Sequence, residues 1–140
     1  HVPLIVNWKG VIKPKQYSES LVDFSDFFPT FCEVAGVSID SELDLDGVSF
    51  YPDLIGKEGR KKDWIHTWYN RDGGSNPRVQ SQEWVRDETY KLYVGNRFYN
   101  TVKDPKEKNP LKQEYMTMKE RKIYNIFTEA LRSYISYRRE

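Results

Sequence analysis

The sequence predicts an α+β chain: a small antiparallel sheet of about four strands packed by a long C-terminal helix, preceded by a βα unit. Three observations carry this. The opening "VPLIVNW" is a continuous apolar run followed by the apolar-periodic "SDFFPTFCEVAG". From Trp64 the chain breaks into short aromatic pieces divided by turn residues. The last segment repeats apolar residues at helical spacing behind a capping signal.

An apolar strand with no polar leader is normally buried on both faces, as in a parallel sheet. The chain offers no second strand of that type, so its start reads as a cut through a larger protein. The side chains of residues 4–8 are therefore expected to be partly exposed, or covered by another copy pairing along the open edge. "KGVIKPKQYSES" is a Gly- and Pro-punctuated loop. In "SDFFPTFCEVAG", Asp26 stands where it can cap a helix, Pro29 falls in the first turn, and Gly36 suits the left-handed closing position. Strand followed by helix is the βα signature. "DLDGVSFYPDLIG" predicts a turn at Asp46-Gly47 and a short helix near Pro52, and the polar "KEGRKKD" at 57–63 reads as a connection between subdomains. The division is drawn at 1–57 and 58–140.

Beyond it, "WIHTWYN", "EWVRD", "YKLYV" and "RFYN" predict strands, the last two forming a hairpin with Gly95-Asn96 at its tip. Alternation puts Trp64, His66, Trp68 and Asn70 on one face of the first strand and Ile65, Thr67 and Tyr69 on the other. "VKDPKEKNP" is a charged, Pro-bounded loop. Thr117 and Glu120 form a capping box, after which Ile123, Phe127, Ala130, Leu131, Tyr134 and Ile135 make a stripe that should lie on the sheet.

Composition excludes several function classes. Among 140 residues, 22 Lys and Arg against 21 Asp and Glu leave a net charge of +1, so no single sign dominates as nucleic-acid or anionic-membrane binding requires. No apolar run approaches the roughly 20 residues that span a bilayer, and no signal-peptide pattern opens the chain. Aromatics at 15% suit either a β-rich core or a sugar-stacking surface.

The single cysteine, Cys32, shares helical spacing with Phe28 and Phe31 and reads as packing rather than as a nucleophile. One Cys and two His, with no supporting spacing, do not make a zinc site. Asp40, Glu42, Asp44 and Asp46 mimic a calcium loop but lack its Gly and terminal Glu, and read as a solvated turn. His66 reads first as a core or hydrogen-bonded structural residue. No catalytic and no metal-ligating residue is assigned from the residues themselves.

Four quoted stretches, in order, resemble the sulfatase family of arylsulfatase-like enzymes in the alkaline-phosphatase superfamily. These are "HVPLIVNWKGVIKP", "LVDFSDFFPTFCEVAGV", "LDLDGVSFYPDLIGK" and "DETYKLYVGNRFYNTVKDPKEKNPL", together covering residues 1–111. Lys9 stands where the family has Pro, and Phe31 where it has Leu. The resemblance implies that residues 1–57 are the end of the α/β catalytic domain and residues 58–140 the C-terminal subdomain. It implies sulfate-ester hydrolysis by the whole enzyme, with calcium and a formylglycine nucleophile made from the Cys or Ser of a Cys-x-Pro-x-Arg-like motif. Glu33, Val34, Ala35 and Gly36 follow Cys32, so that motif is absent here. The expected cofactors are thus none in this chain, and the expected partners are the N-terminal catalytic region and a sulfated small molecule or glycan.

The segment 66–71, "HTWYNR", followed by the Gly-rich "RDGGSNPR", is expected to border the substrate cleft. His66, Tyr69, Asn70, Arg71 and Arg78 would supply cationic and hydrogen-bonding contacts beside an aromatic platform. The plainer reading makes Trp64 and Trp68 core and the polar residues a loop rim. Two other classes stay open: a phosphodiesterase or phosphonate hydrolase relative, and a non-enzymatic carbohydrate-binding or interaction module.

Overall fold

A computed structural model describes residues 3–59, 62–70 and 82–135. Its contacts divide the chain into two units, His1–Asp63 and Trp64–Glu140.

In the first unit a 3₁₀ turn, Phe24–Asp26, runs into helix α1, Phe27–Ala35, and helix α2 follows at Tyr51–Leu54. The expected cap differs in detail. Asp26 makes no capping bond to α1; Asp23 caps the 3₁₀ turn by accepting from the Ser25 N–H. Asp26 completes that capping box by accepting from the Asp23 N–H at 2.9 Å. Its carboxylate is released for a larger task because the turn ahead of α1 already has a cap. Gly36, at φ 67°, closes α1: Gly36 N–H meets the Glu33 carbonyl and Val37 N–H meets the Cys32 carbonyl, the two bonds of a Schellman motif.

Asp26 is almost wholly buried, and its carboxylate gathers the unit. Oδ1 accepts from the Val48 N–H at 2.7 Å and from Lys62 Nζ at 2.8 Å. Lys62 also donates to Asp23 Oδ2 at 2.8 Å and to Ser25 Oγ at 3.3 Å. One helical turn on, buried Thr30 donates to the Asp26 carbonyl and accepts from the Phe50 N–H. The segment 47–50 is thereby laced along the start of α1. Gly47 is required there: a Cβ would sit 1.9 Å from the Ser25 carbonyl oxygen. Phe27 fills the space between α1 and α2 by meeting Phe50 edge-on at 5.4 Å.

Residues 4–8, read from the sequence as a strand with partly exposed side chains, form no strand among the described residues. Backbone N–H and C=O groups need a ladder partner to make a strand, and none is present there. Leu4, Ile5, Val6 and Trp8 are exposed, Ile5 at 87%. Residues 40–46 lie exposed in a turn, with Asp40 accepting from the Glu42 N–H.

The second unit is the predicted sheet and helix. Strands β1 (Ile65–Tyr69), β2 (Gln82–Arg86), β3 (Tyr90–Tyr93) and β4 (Phe98–Asn100) form an antiparallel meander in sequence order. Gly95 and Asn96, at φ 91° and 66°, turn the β3–β4 hairpin, where left-handed backbone is needed. Helix α3, Met118–Ser133, starts at the Thr117–Glu120 capping box. Register aligns His66 with Val85, Val85 with Leu92, and Leu92 with Phe98, so one face carries the core. Val85, Tyr90, Leu92 and Phe98 pack against Phe127, Ala130 and Leu131 of α3. No helix among the described residues is long and apolar enough to cross a membrane.

Removing the Asp26 carboxylate leaves Lys62 and two backbone donors without their shared acceptor. Asp26→Ala is expected to destabilise the first unit by about 3–5 kcal/mol, and Gly47→Ala by about 1–3 kcal/mol through forced backbone displacement. Urea denaturation read by Trp fluorescence checks both, and a midpoint unchanged in either variant contradicts the lacing described here.

Candidate functional site

β1 holds two of the five residues expected at a substrate cleft, His66 and Tyr69, and its pleat separates them. His66 lies on the core face and Tyr69 on the opposite face, where it is 53% exposed. Asn70 follows the end of the strand and is half-buried. Arg71 and Arg78 lie outside the described residues.

His66 is held by two partners. Nε2 lies 3.0 Å from Oε1 of buried Glu83 on β2. The imidazole stacks on Tyr134, just past the end of α3, with centroids 3.8 Å apart and planes within 5°. Trp64 meets the same Tyr134 edge-on. The arrangement joins the first strand to the end of the long helix, in line with the structural reading of this histidine. Sequence reasoning did not single out Glu83 or the Tyr134 stack. A signal existed for the former: in "EWVRD" alternation places Glu83 on the face of core residue Val85, and a core-facing acid needs a partner. Trp68, one pleat beyond His66, is 58% exposed.

The other sheet face is aromatic and cationic. Lys91 Nζ sits 4.6 Å above the Trp84 ring and 4.5 Å above the Tyr93 ring, and Arg97 lies over Tyr93 from the hairpin. Glu107, from the loop after β4, accepts from Lys91 Nζ at 2.9 Å and from the Tyr93 hydroxyl. Burial raises the Tyr93 phenol pKa and the bond to Glu107 raises it further. Burial also opposes ionisation of Glu107. Hydrogen bonds from Lys91 and Tyr93 outweigh this and hold its carboxyl below the usual glutamate range. The loop is itself ordered by Asp104, which accepts from the Asn109 N–H at 2.7 Å, while Leu111 N–H binds the Phe98 carbonyl at 2.7 Å.

These features can bind and position, but they do not assemble a reaction centre. Among the described residues no three His, Cys, Asp or Glu side chains come together to hold a metal ion. Cys32 is half-buried near the end of α1 and lacks the Pro and Arg that a formylglycine motif requires. The described residues offer no fit for calcium, and Cys32 lacks the sequence of a formylglycine site.

Comparison with known proteins settles the family. Residues 1–135 match the family model described as N-sulphoglucosamine sulphohydrolase, C-terminal. The chain belongs to this sulfatase family. It is 33% identical over 101 residues to an ulvan-active sulfatase of Formosa agariphila, an alignment covering 72% of this chain and 19% of the relative. It is 27% identical over 146 aligned positions to an N-acetylglucosamine-6-O-sulfatase of Bacteroides thetaiotaomicron, covering 95% of this chain and 25% of that protein. In fold it is similar to a protein solved in complex with its substrate D-glucosamine-2-N,6-O-disulfate. There the TM-score is 0.59 at 23% identity, over 78% of this chain and 24% of the other. The sulfatase chain thus spans about a fifth to a quarter of the length of the relatives it matches. What it shares with them is the C-terminal region of a sulfatase.

The depressed Glu107 pKa sets a pH dependence for the second unit. Its folded value lies below the unfolded one, so its contribution is complete above the unfolded value of about 4.3 and fades as pH falls through the folded value. Glu107→Gln is expected to lower stability by about 1–2 kcal/mol at pH 7. Denaturation midpoints of the two proteins should converge below pH 4; a constant gap across that range counts against the network.

Proposed function

We propose that this chain is the C-terminal part of an enzyme that hydrolyses sulfate esters of a carbohydrate, and that it borders the substrate cleft without supplying the nucleophile. The family match over residues 1–135 carries the first half of this reading. The names of the two relatives, one active on ulvan and one a 6-O-sulfatase of N-acetylglucosamine, support a sugar as the sulfated group. The second half is supported by Cys32, which sits in a helix of the wrong sequence for formylglycine, and by the absence of a fitting metal group among the described residues. Calcium and formylglycine would accordingly be held by residues outside these 140, where they would bind the sulfate and supply the attacking oxygen.

Within the chain, the end of β1 and the segment after it are the part suited to a ligand. Tyr69 presents an exposed ring on which a sugar can stack, and Asn70 follows it in sequence. Arg71 and Arg78 bring the planar guanidinium that matches sulfate oxygens in pairs. His66 contributes differently, since its bond to Glu83 and its stack on Tyr134 make it part of the frame that holds β1. Replacing His66 would therefore disturb the fold as well as any ligand, which makes it a poor reporter of binding.

The discriminating test uses the full-length enzyme with Tyr69→Ala, Arg71→Ala and Arg78→Ala made singly. A lost charge-assisted hydrogen bond corresponds to about a tenfold or larger fall in kcat/KM on the native sulfated sugar. That fall in any one of the three, with the melting temperature unchanged, supports the cleft reading; unchanged kinetics in all three would remove this segment from the site. The 140-residue chain by itself is expected to show no turnover of a chromogenic sulfate ester and no aldehyde at Cys32. Intact mass and aldehyde-reactive labelling check the latter, and a labelled Cys32 or measurable turnover would overturn the assignment of the nucleophile elsewhere.

A further inference from the structure

The sheet face turned away from α3 is organised in rows set by its register. Thr67 pairs with Trp84 and Trp84 with Tyr93, and the Tyr93 N–H donates to the Arg97 carbonyl. These residues form one row from β1 to the β3–β4 hairpin. Tyr69 stands on the same face two residues further along β1, opposite Gln82. The neighbouring row, Ile65, Arg86, Lys91 and Tyr99, is already engaged. Glu107 accepts from Lys91, the Arg86 Nε donates to the Asp87 carbonyl at 3.0 Å, and Tyr99 is buried.

The first row ends differently. Arg97 is exposed, its guanidinium lies 4.6 Å over the Tyr93 ring, and among the described residues it meets no carboxylate. A guanidinium in that position keeps N–H donors that match the oxygens of a sulfate or carboxylate in pairs. Tyr93 itself is buried beneath Lys91 and Arg97, so this end of the row is cationic. The β1 end is aromatic: the Tyr69 ring is exposed, and half-buried Trp84 lies between it and the cations. From β1 to the hairpin is two to three inter-strand steps of roughly 4.8 Å each. That is the reach of a short oligosaccharide rather than of one sugar. A ring to stack on at one end and an unpaired cation at the other suit a sugar chain that carries negative charge.

We infer that Tyr69, Trp84 and Arg97 form a subsite for a further, anionic sugar of a sulfated glycan, with Arg97 holding its sulfate or carboxylate group. This deepens the sulfated-carbohydrate reading above and rests on it. The test is titration of the full-length protein, purified with its nucleophile unconverted so that no sugar is turned over. The probes are 6-O-sulfated N-acetylglucosamine and tetrasaccharides of heparin and of ulvan. Arg97→Ala is expected to weaken binding of at least one tetrasaccharide about tenfold or more and to flatten its dependence on salt. Binding of the monosaccharide should stay unchanged, and Arg97→Lys should recover part of the loss. Desulfating that tetrasaccharide, which keeps its uronate carboxylates, identifies the anion. Wild type and Arg97→Ala converge if Arg97 holds a sulfate, and the gap persists if it holds a carboxylate. Equal affinities of the two proteins for both tetrasaccharides, or no binding of either, overturn the inference. An equal loss on monosaccharide and tetrasaccharide also overturns it, by placing Arg97 at the reacting sugar. The monosaccharide arm keeps the two readings apart, since the cleft reading expects Arg71→Ala or Arg78→Ala to act on it and this one expects Arg97→Ala to spare it.

Discussion

A buried carboxylate organises the first half of this protein. Asp26 has almost no contact with water, and an anion in that position persists only if its oxygens are satisfied. Two backbone N–H groups and the Lys62 ammonium do so. Those three donors come from residues 23, 48 and 62, so one side chain fixes the helix entry, the following segment and the end of the unit. Thr30 repeats the device one turn later with a neutral hydroxyl. Asp23 stays ionised in the same cluster: burial opposes its charge, but bonds from Lys62 and Ser25 prevail and lower its pKa. The polar interior here is satisfied throughout the described residues, with no buried side-chain nitrogen or oxygen lacking a partner.

This gives a physical meaning to the motifs that reveal the family. Asp26, Pro29 and Thr30 of "LVDFSDFFPTFCEVAGV", and Gly47 of "LDLDGVSFYPDLIGK", are the two sides of one laced joint. In the later motif Asp104 shapes its own loop, Glu107 reaches the sheet and Leu111 closes onto β4. Each of these residues is explained by folding. The residues that reveal the family in this chain are thus ones whose interactions hold its fold together.

The sheet shows how two neighbouring candidates acquire opposite roles. His66 and Tyr69 are three residues apart, an odd separation that a strand converts into opposite faces. The inward residue gains Glu83 and Tyr134 and becomes part of the frame. The outward residue keeps its exposure. On the far face, Lys91 is committed to Glu107 and two aromatic rings, so a cation there serves packing before recognition.

The sequence by itself determined the four strands, the hairpin tip at Gly95-Asn96, the capping box at Thr117, the core-facing Phe127, Ala130 and Leu131 of α3, and the family, while Ile135 of the same predicted stripe stands exposed. These follow from local chemistry: period-two and period-3.6 patterns, positive φ at a turn, and reciprocal caps act within a few residues. Only the tertiary structure decided that Asp26 is a hub rather than a helix cap, since Lys62 and Val48 lie 36 and 22 residues away. It alone brought Tyr134 onto His66, across nearly the whole second unit. It also left residues 4–8 without a strand, although their composition suits one, because a strand exists only where another backbone completes its hydrogen bonds. Propensity is a property of a segment, whereas pairing is a property of what that segment meets.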